Sequence, residues 1–129
     1  MLSKLCFVSS RSFRVALFVL GSAGSTFAQD QQLTGDEIRS AMVGKKLFAR
    51  AGTGGLLDLV MRADGTAQIA IGNMTDTGTW KMTDKGYCAT WQKIRAGQER
   101  CFTVVRRGSS LVIFNPDQSV SAEVLRVSD

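Results

Sequence analysis

Three cysteines, eleven acidic residues and no histidine decide which chemistry this chain can do. Without an imidazole, Ser-His-Asp and Cys-His nucleophilic arrangements are excluded. A paired-carboxylate mechanism would have to draw on Asp58, Asp64, Asp76, Asp84 or Glu99. Asp64 and Asp84 stand in turn sequences where aspartate bonds its own backbone, and Asp58 alternates outward from a strand. All five read as solvated surface, so no catalytic residue is assigned and no enzymatic activity is expected. Cys88 and Cys101 lie thirteen positions apart, and two cysteines alone cannot complete a zinc sphere. No metal or cofactor is therefore expected. The pair reads as a structural disulfide, worth about 3 kcal/mol for a loop of this length. The glycines Gly52, Gly54 and Gly55 lack both a following helix and a P-loop lysine, so they form a β-connection rather than a phosphate cradle.

A disulfide needs an oxidising compartment, and the first residues supply a route to one. Lys4, Arg11 and Arg14 precede the apolar stretch Val15-Ala-Leu-Phe-Val-Leu20, and small residues follow up to Ala28. That order is the signature of a secretory signal peptide. Cleavage is expected after Ala28, with Gly24 as the other possible site. The apolar stretch is too short to span a bilayer, which takes about 20 residues, so no transmembrane segment is expected after cleavage. Cys6 precedes the apolar core and leaves with the leader. Residues 29–129 would then form a single domain, periplasmic or secreted. They carry thirteen basic residues against eleven acidic ones, a net charge of +2 in place of the precursor's +5. The high isoelectric point is thus no nucleic-acid signature.

Positioning these groups falls to one helix and a series of strands. Thr34-Gly-Asp-Glu37 is a capping box, and Asp36 and Glu37 suit the positive end of a helix dipole. Ile38 and Met42 lie four apart, and Gly44 marks the stop. The spacing predicts a short helix whose Ile38/Met42 stripe packs over a sheet or barrel opening. Strands are predicted at 45–50, 57–62, 66–71, 78–82, 87–92, 99–107, 111–115 and 120–127, with Asp64-Gly65 as a hairpin turn and 72–77 as a polar loop. The fold class expected is all-β: a small antiparallel meander of about eight strands. It closes into a barrel or folds as a small sandwich, since either removes exposed edges.

Parity ties the cysteines to this reading. Tyr87, Ala89 and Trp91 share one strand face, and Cys88, Thr90 and Gln92 share the other. On the next strand, Phe102 and Val104 oppose Cys101 and Thr103. Pairing the cysteines puts Tyr87 and Trp91 on the same side as Phe102, with the bridge on the outer wall.

Two groups of residues are candidates for binding. Between residues 81 and 107 there are seven basic residues against Asp84 and Glu99. Lys93, Arg95, Arg100, Arg106 and Arg107 form a candidate face for an anionic partner, such as an envelope component. The plainer reading is that they are outward residues keeping strands soluble. Few aromatics accompany them, and nucleic acid is not expected as a partner. Trp80, Tyr87, Trp91 and Phe102 are the candidate apolar interior, either lining a ligand cavity or filling the core. A barrel of about a hundred residues has little interior to spare, so filling is expected.

At Gly78-Thr-Trp80, Tyr87-Cys-Ala-Thr-Trp91 and Cys101-Phe-Thr-Val-Val105 the chain resembles small exported alphaproteobacterial proteins of domain-of-unknown-function family 995. The resemblance implies an envelope or secreted β-domain and no activity. The Gly-x-Trp is also similar to that of lipocalins and avidins, although theirs lies on the first strand. The expected fold is accordingly a lipocalin-like barrel preceded by one short helix. The expected function is a non-enzymatic binding or interaction module of the bacterial envelope, meeting an anionic component or a protein partner. The alternative is an inhibitor of a lysozyme or protease acting through an exposed loop, at 72–77 or 93–98.

Overall fold

In the computed structural model, which describes residues 30–129, the capping box forms as its residue types require. The Thr34 hydroxyl accepts from the Glu37 N–H, and the Glu37 carboxylate accepts from the Thr34 N–H at 3.1 Å. Helix α1, Gly35–Met42, follows, with Gly35, Ile38 and Met42 buried. The signal peptide, its cleavage sites and Cys6 lie outside the described residues.

Short strand β1, Gln31–Gln32, precedes the helix. After it come β2 (Lys46–Ala51), β3 (Leu56–Met61), β4 (Thr66–Ile71), β5 (Met74–Met82) and β6 (Tyr87–Trp91). The last three are β7 (Arg100–Arg107), β8 (Ser110–Phe114) and β9 (Val120–Ser128). Each of β2 to β9 pairs antiparallel with its sequence neighbour, and β9 pairs back onto β2. The result is a closed eight-stranded antiparallel barrel, which leaves no barrel strand with an unpaired edge. Register shifts at Phe48/Ala49 and Ile113/Phe114 help β9 bend between its two neighbours.

Strand β1 pairs with β7 at Gln31↔Arg106 and Gln32↔Val105, beyond the point where β6 has ended. Two residues are too few for a periodic signal, and the strand was not expected from sequence. The Leu33 N–H continues the ladder to the Val104 carbonyl at 2.8 Å, and the helix then crosses one end of the barrel. Its far end is tied by the Gly44 N–H to the Met61 carbonyl and by a Val43↔Met61 bridge. Gly35 lies against the Thr83 carbonyl, where a Cβ would collide with backbone. Leu33, Ile38 and Met42 are fully buried and join the barrel core. One end is thereby plugged.

The segment expected as a polar loop at 72–77 is instead a two-residue turn followed by strand. Ile71 pairs with Met74, leaving only Gly72 and Asn73 in the turn. Gly72 has φ +57°, the conformation that glycine supplies at the first position of a tight hairpin. Strand β5 therefore begins at Met74, four residues earlier than expected, and brings Asp76 onto the inward parity of Gly78 and Trp80.

Candidate functional site

The end opposite the helix carries the turns β2–β3, β4–β5, β6–β7 and β8–β9, and it opens into a cavity of about 450 Å³. The expectation that side chains fill the barrel is corrected here. Several inward positions carry small residues, among them Ala67, Ala89 and Ala122, all buried and all lining the cavity. Counting large aromatics from sequence misses the space these alanines leave. A volume of this size lies within the range of small-molecule sites.

Trp80, Tyr87, Trp91 and Phe102 are buried and lie on the cavity wall. Tyr87 and Phe102 face each other across β6 and β7 with ring centroids 5.1 Å apart. The Trp80 indole N–H donates to the Arg62 carbonyl at 2.8 Å, so its polar atom is satisfied while its ring faces inward. Burial pushes the Tyr87 hydroxyl well above its ordinary value, despite the nearby Arg95 charge. It remains protonated at any physiological pH.

The five residues of the expected basic face do not come together. Strand β7 runs from the cavity mouth to the helix end, so Arg100 and Arg107 are separated by its length. Arg107 makes a two-point ion pair with Asp30, with its Nη2 2.9 Å from Oδ2. Arg106 is exposed near the same end. Lys93 is at the mouth, its Nζ donating to the Thr75 carbonyl at 3.4 Å. Arg95 and Arg100 turn inward and line the cavity. Strand parity held this signal for Arg100: it alternates with Phe102 and Val104, and it pairs with inward Ala89.

Arg95 is delivered by a strained loop. The short 3-10 turn Ile94–Gly97 contains two consecutive non-glycine residues in the left-handed region, Arg95 (φ 56°) and Ala96 (φ 53°). Each costs about 1 kcal/mol relative to right-handed backbone. Asp76 holds the loop in place. Its Oδ2 accepts from the N–H groups of Lys93 and Ile94, both at 2.9 Å, and Oδ1 accepts from Thr77 at 2.8 Å. The solvated-surface reading of Asp76 is thus overturned, since the residue is buried with all three donors converging on it. The other acids stay outside. Asp58 pairs with Lys46, Glu99 with Lys81, and Asp64 caps its own turn through Thr66.

Burial alone would raise Asp76, but the N–H donors of Ile94, Lys93 and Thr77, helped by the Lys93 charge, outweigh it and hold the carboxyl below its ordinary 3.8. A depressed folded value means the group stabilises the fold at neutral pH. That contribution is lost as pH falls through the folded value, below 3.8. Asp76→Asn is expected to lower the melting temperature by several degrees near neutral pH. The gap to the unsubstituted protein should close in strong acid; thermal melts across that range check it, and a constant gap contradicts it.

Cys88 and Cys101 are directly opposed and joined as a disulfide on the outward parity. Glu99 lies close to the two sulfurs, but the sulfurs bond each other and Glu99 pairs with Lys81, so this cluster offers no ligand set. No helix among the described residues is long and apolar enough to cross a membrane.

Comparison with protein-family models, curated proteins and solved structures finds no match.

Proposed function

We propose that this chain is an exported, non-enzymatic binding module whose site is the interior of the barrel, entered from the end opposite the helix. The observation that carries the reading is the largely apolar cavity of about 450 Å³, walled by Trp80, Trp91 and Phe102 and plugged at one end by α1. Such a shape takes one small ligand with an apolar body, and burial of that body in a preformed site supplies the affinity. Export is supported by the basic-apolar-small order of residues 1–28 and by the disulfide, which persists in an oxidising compartment. The non-enzymatic reading is supported by the acids themselves: Asp58, Asp64 and Glu99 are engaged at the surface, and Asp76 is spent on the loop.

Binding of a neutral apolar dye, N-phenylnaphthylamine, tests the reading. Its emission is expected to rise on mixing with the oxidised protein. Ala89→Trp, which fills the cavity from its wall, is expected to lower dye affinity by about tenfold or more. Dye binding unaffected by that substitution places the dye elsewhere and removes the support.

A further inference from the structure

The cavity wall is largely apolar, and its polar groups, Thr53, Asn115, Ser119, Ser121 and the two arginines Arg95 and Arg100, come chiefly from the loops and strand ends at the mouth. The Arg95 guanidinium reaches in from the rim to lie 5.4 Å from the Phe102 ring centroid. Its Nη1 is buried without a hydrogen-bond partner among the described residues. A buried donor left unpaired is costly, and a guanidinium donor more so. Neither Arg95 nor Arg100 makes an ion pair among the described residues. The nearby acids are committed elsewhere: Asp76 to the loop backbone, and Asp117, whose carboxyl feels the Arg100 charge, to Ser119. Arg100 reaches only Asn115, at 3.5 Å, the outer limit of a hydrogen bond. Two inward arginines with idle donors thus flank a largely apolar chamber, and a strained loop anchored by Asp76 holds one of them there.

Resting on the binding reading above, we infer that the ligand is a single-tailed amphiphile with an anionic head of carboxylate or phosphate type. The tail lies among Trp80, Trp91 and Phe102, and the head is held by Arg95 with Arg100 beside it. Arginine's planar fork suits both heads, since each presents two oxygens at matching spacing. The head fills the vacant donors, and the tail takes the apolar volume below. Val120, exposed and yet part of the cavity lining, gives the tail an apolar contact at the mouth.

Dodecanoate, dodecyl phosphate and dodecanol share one tail and differ only in the head. Each is used to displace the neutral dye from the oxidised protein, at a pH where the carboxylate is ionised. At least one anion is expected to compete more than about tenfold better than dodecanol, and the tighter anion identifies the head. In Arg95→Gln that ratio is expected to fall to about one; Arg100→Gln, outside the strained loop, is expected to reduce it in part. Equal competition by all three amphiphiles overturns the anionic head and leaves cavity binding standing. A ratio that survives in both variants overturns the assignment to these arginines. Failure of the dye and all three amphiphiles to bind overturns the cavity reading with it. The comparison of heads in the unsubstituted protein decides the matter even if Arg95→Gln does not fold.

Discussion

Replacing Cys88 and Cys101 together by serine is expected to lower the unfolding free energy by about 3 kcal/mol. The bridge closes a loop with a sequence separation of 13, and its removal returns that loop's entropy to the unfolded chain. The seam it clasps is also the weakest of the barrel. Strand β6 aligns with β7 at only three positions, and the disulfide occupies the central one. On the flanking seam, β5 aligns with β6 at five. Loss of the bridge therefore acts where the ladder has least to spare. The inward neighbours of the two cysteines, Tyr87 and Phe102, form part of the cavity wall, so dye affinity is expected to fall together with stability. Urea unfolding of the double variant and of the reduced protein measures the first effect. An unchanged midpoint in both contradicts it, and the double substitution avoids the ambiguity of a lone thiol.

The parts of the fold that could be read from sequence were those fixed by local chemistry and parity. Thr34 and Glu37 specify the helix start by themselves, and the alternation at Leu57, Leu59 and Met61 requires one buried face. The cysteine pair goes further, because its parity alone puts Tyr87, Trp91 and Phe102 on one side of the sheet. What stayed hidden depended on strand origins and on empty space. Starting β5 at Gly78 left Asp76 in a loop; starting it at Met74 turns the same carboxylate inward. The cavity is a property of where alanines meet across the barrel, and no local window contains Ala67, Ala89 and Ala122 together. Charge groups Arg100 with Arg106 and Arg107, although its parity with Phe102 points into the barrel. The charge of Arg95 marks it as a candidate for an anionic partner, but nothing in the sequence turns it inward. Its inward course follows from left-handed backbone at a non-glycine residue, which only the surrounding contacts can impose.

The site and the plug make opposite demands on the same barrel. The open end keeps a strained loop and an unpaired guanidinium nitrogen, both of which cost stability, while at the helix end Leu33, Ile38 and Met42 are fully buried. The closed ring of backbone hydrogen bonds connects the two ends, so strain at the mouth is offset by packing at the floor. Met42→Ala measures how much that packing supplies. Met42 is fully buried together with Leu33, Ile38 and Val104. Truncation there removes transfer free energy and leaves a cavity that a short helix cannot close up, at a cost of about 2–5 kcal/mol. An eight-residue helix has little stability of its own, so its persistence depends on this contact. Urea unfolding is expected to show the full loss as one cooperative transition. Hydrogen exchange at the Ile38 and Val43 amides, whose bonds to Thr34 and Arg39 close the helix, should accelerate in step with the barrel strands. Acceleration confined to those amides, with the global midpoint unchanged, contradicts this and makes α1 a separately opening lid. The strands would then hold the barrel by themselves, and the strain at Arg95 would have to be offset at the mouth, chiefly by the three N–H groups gathered on Asp76.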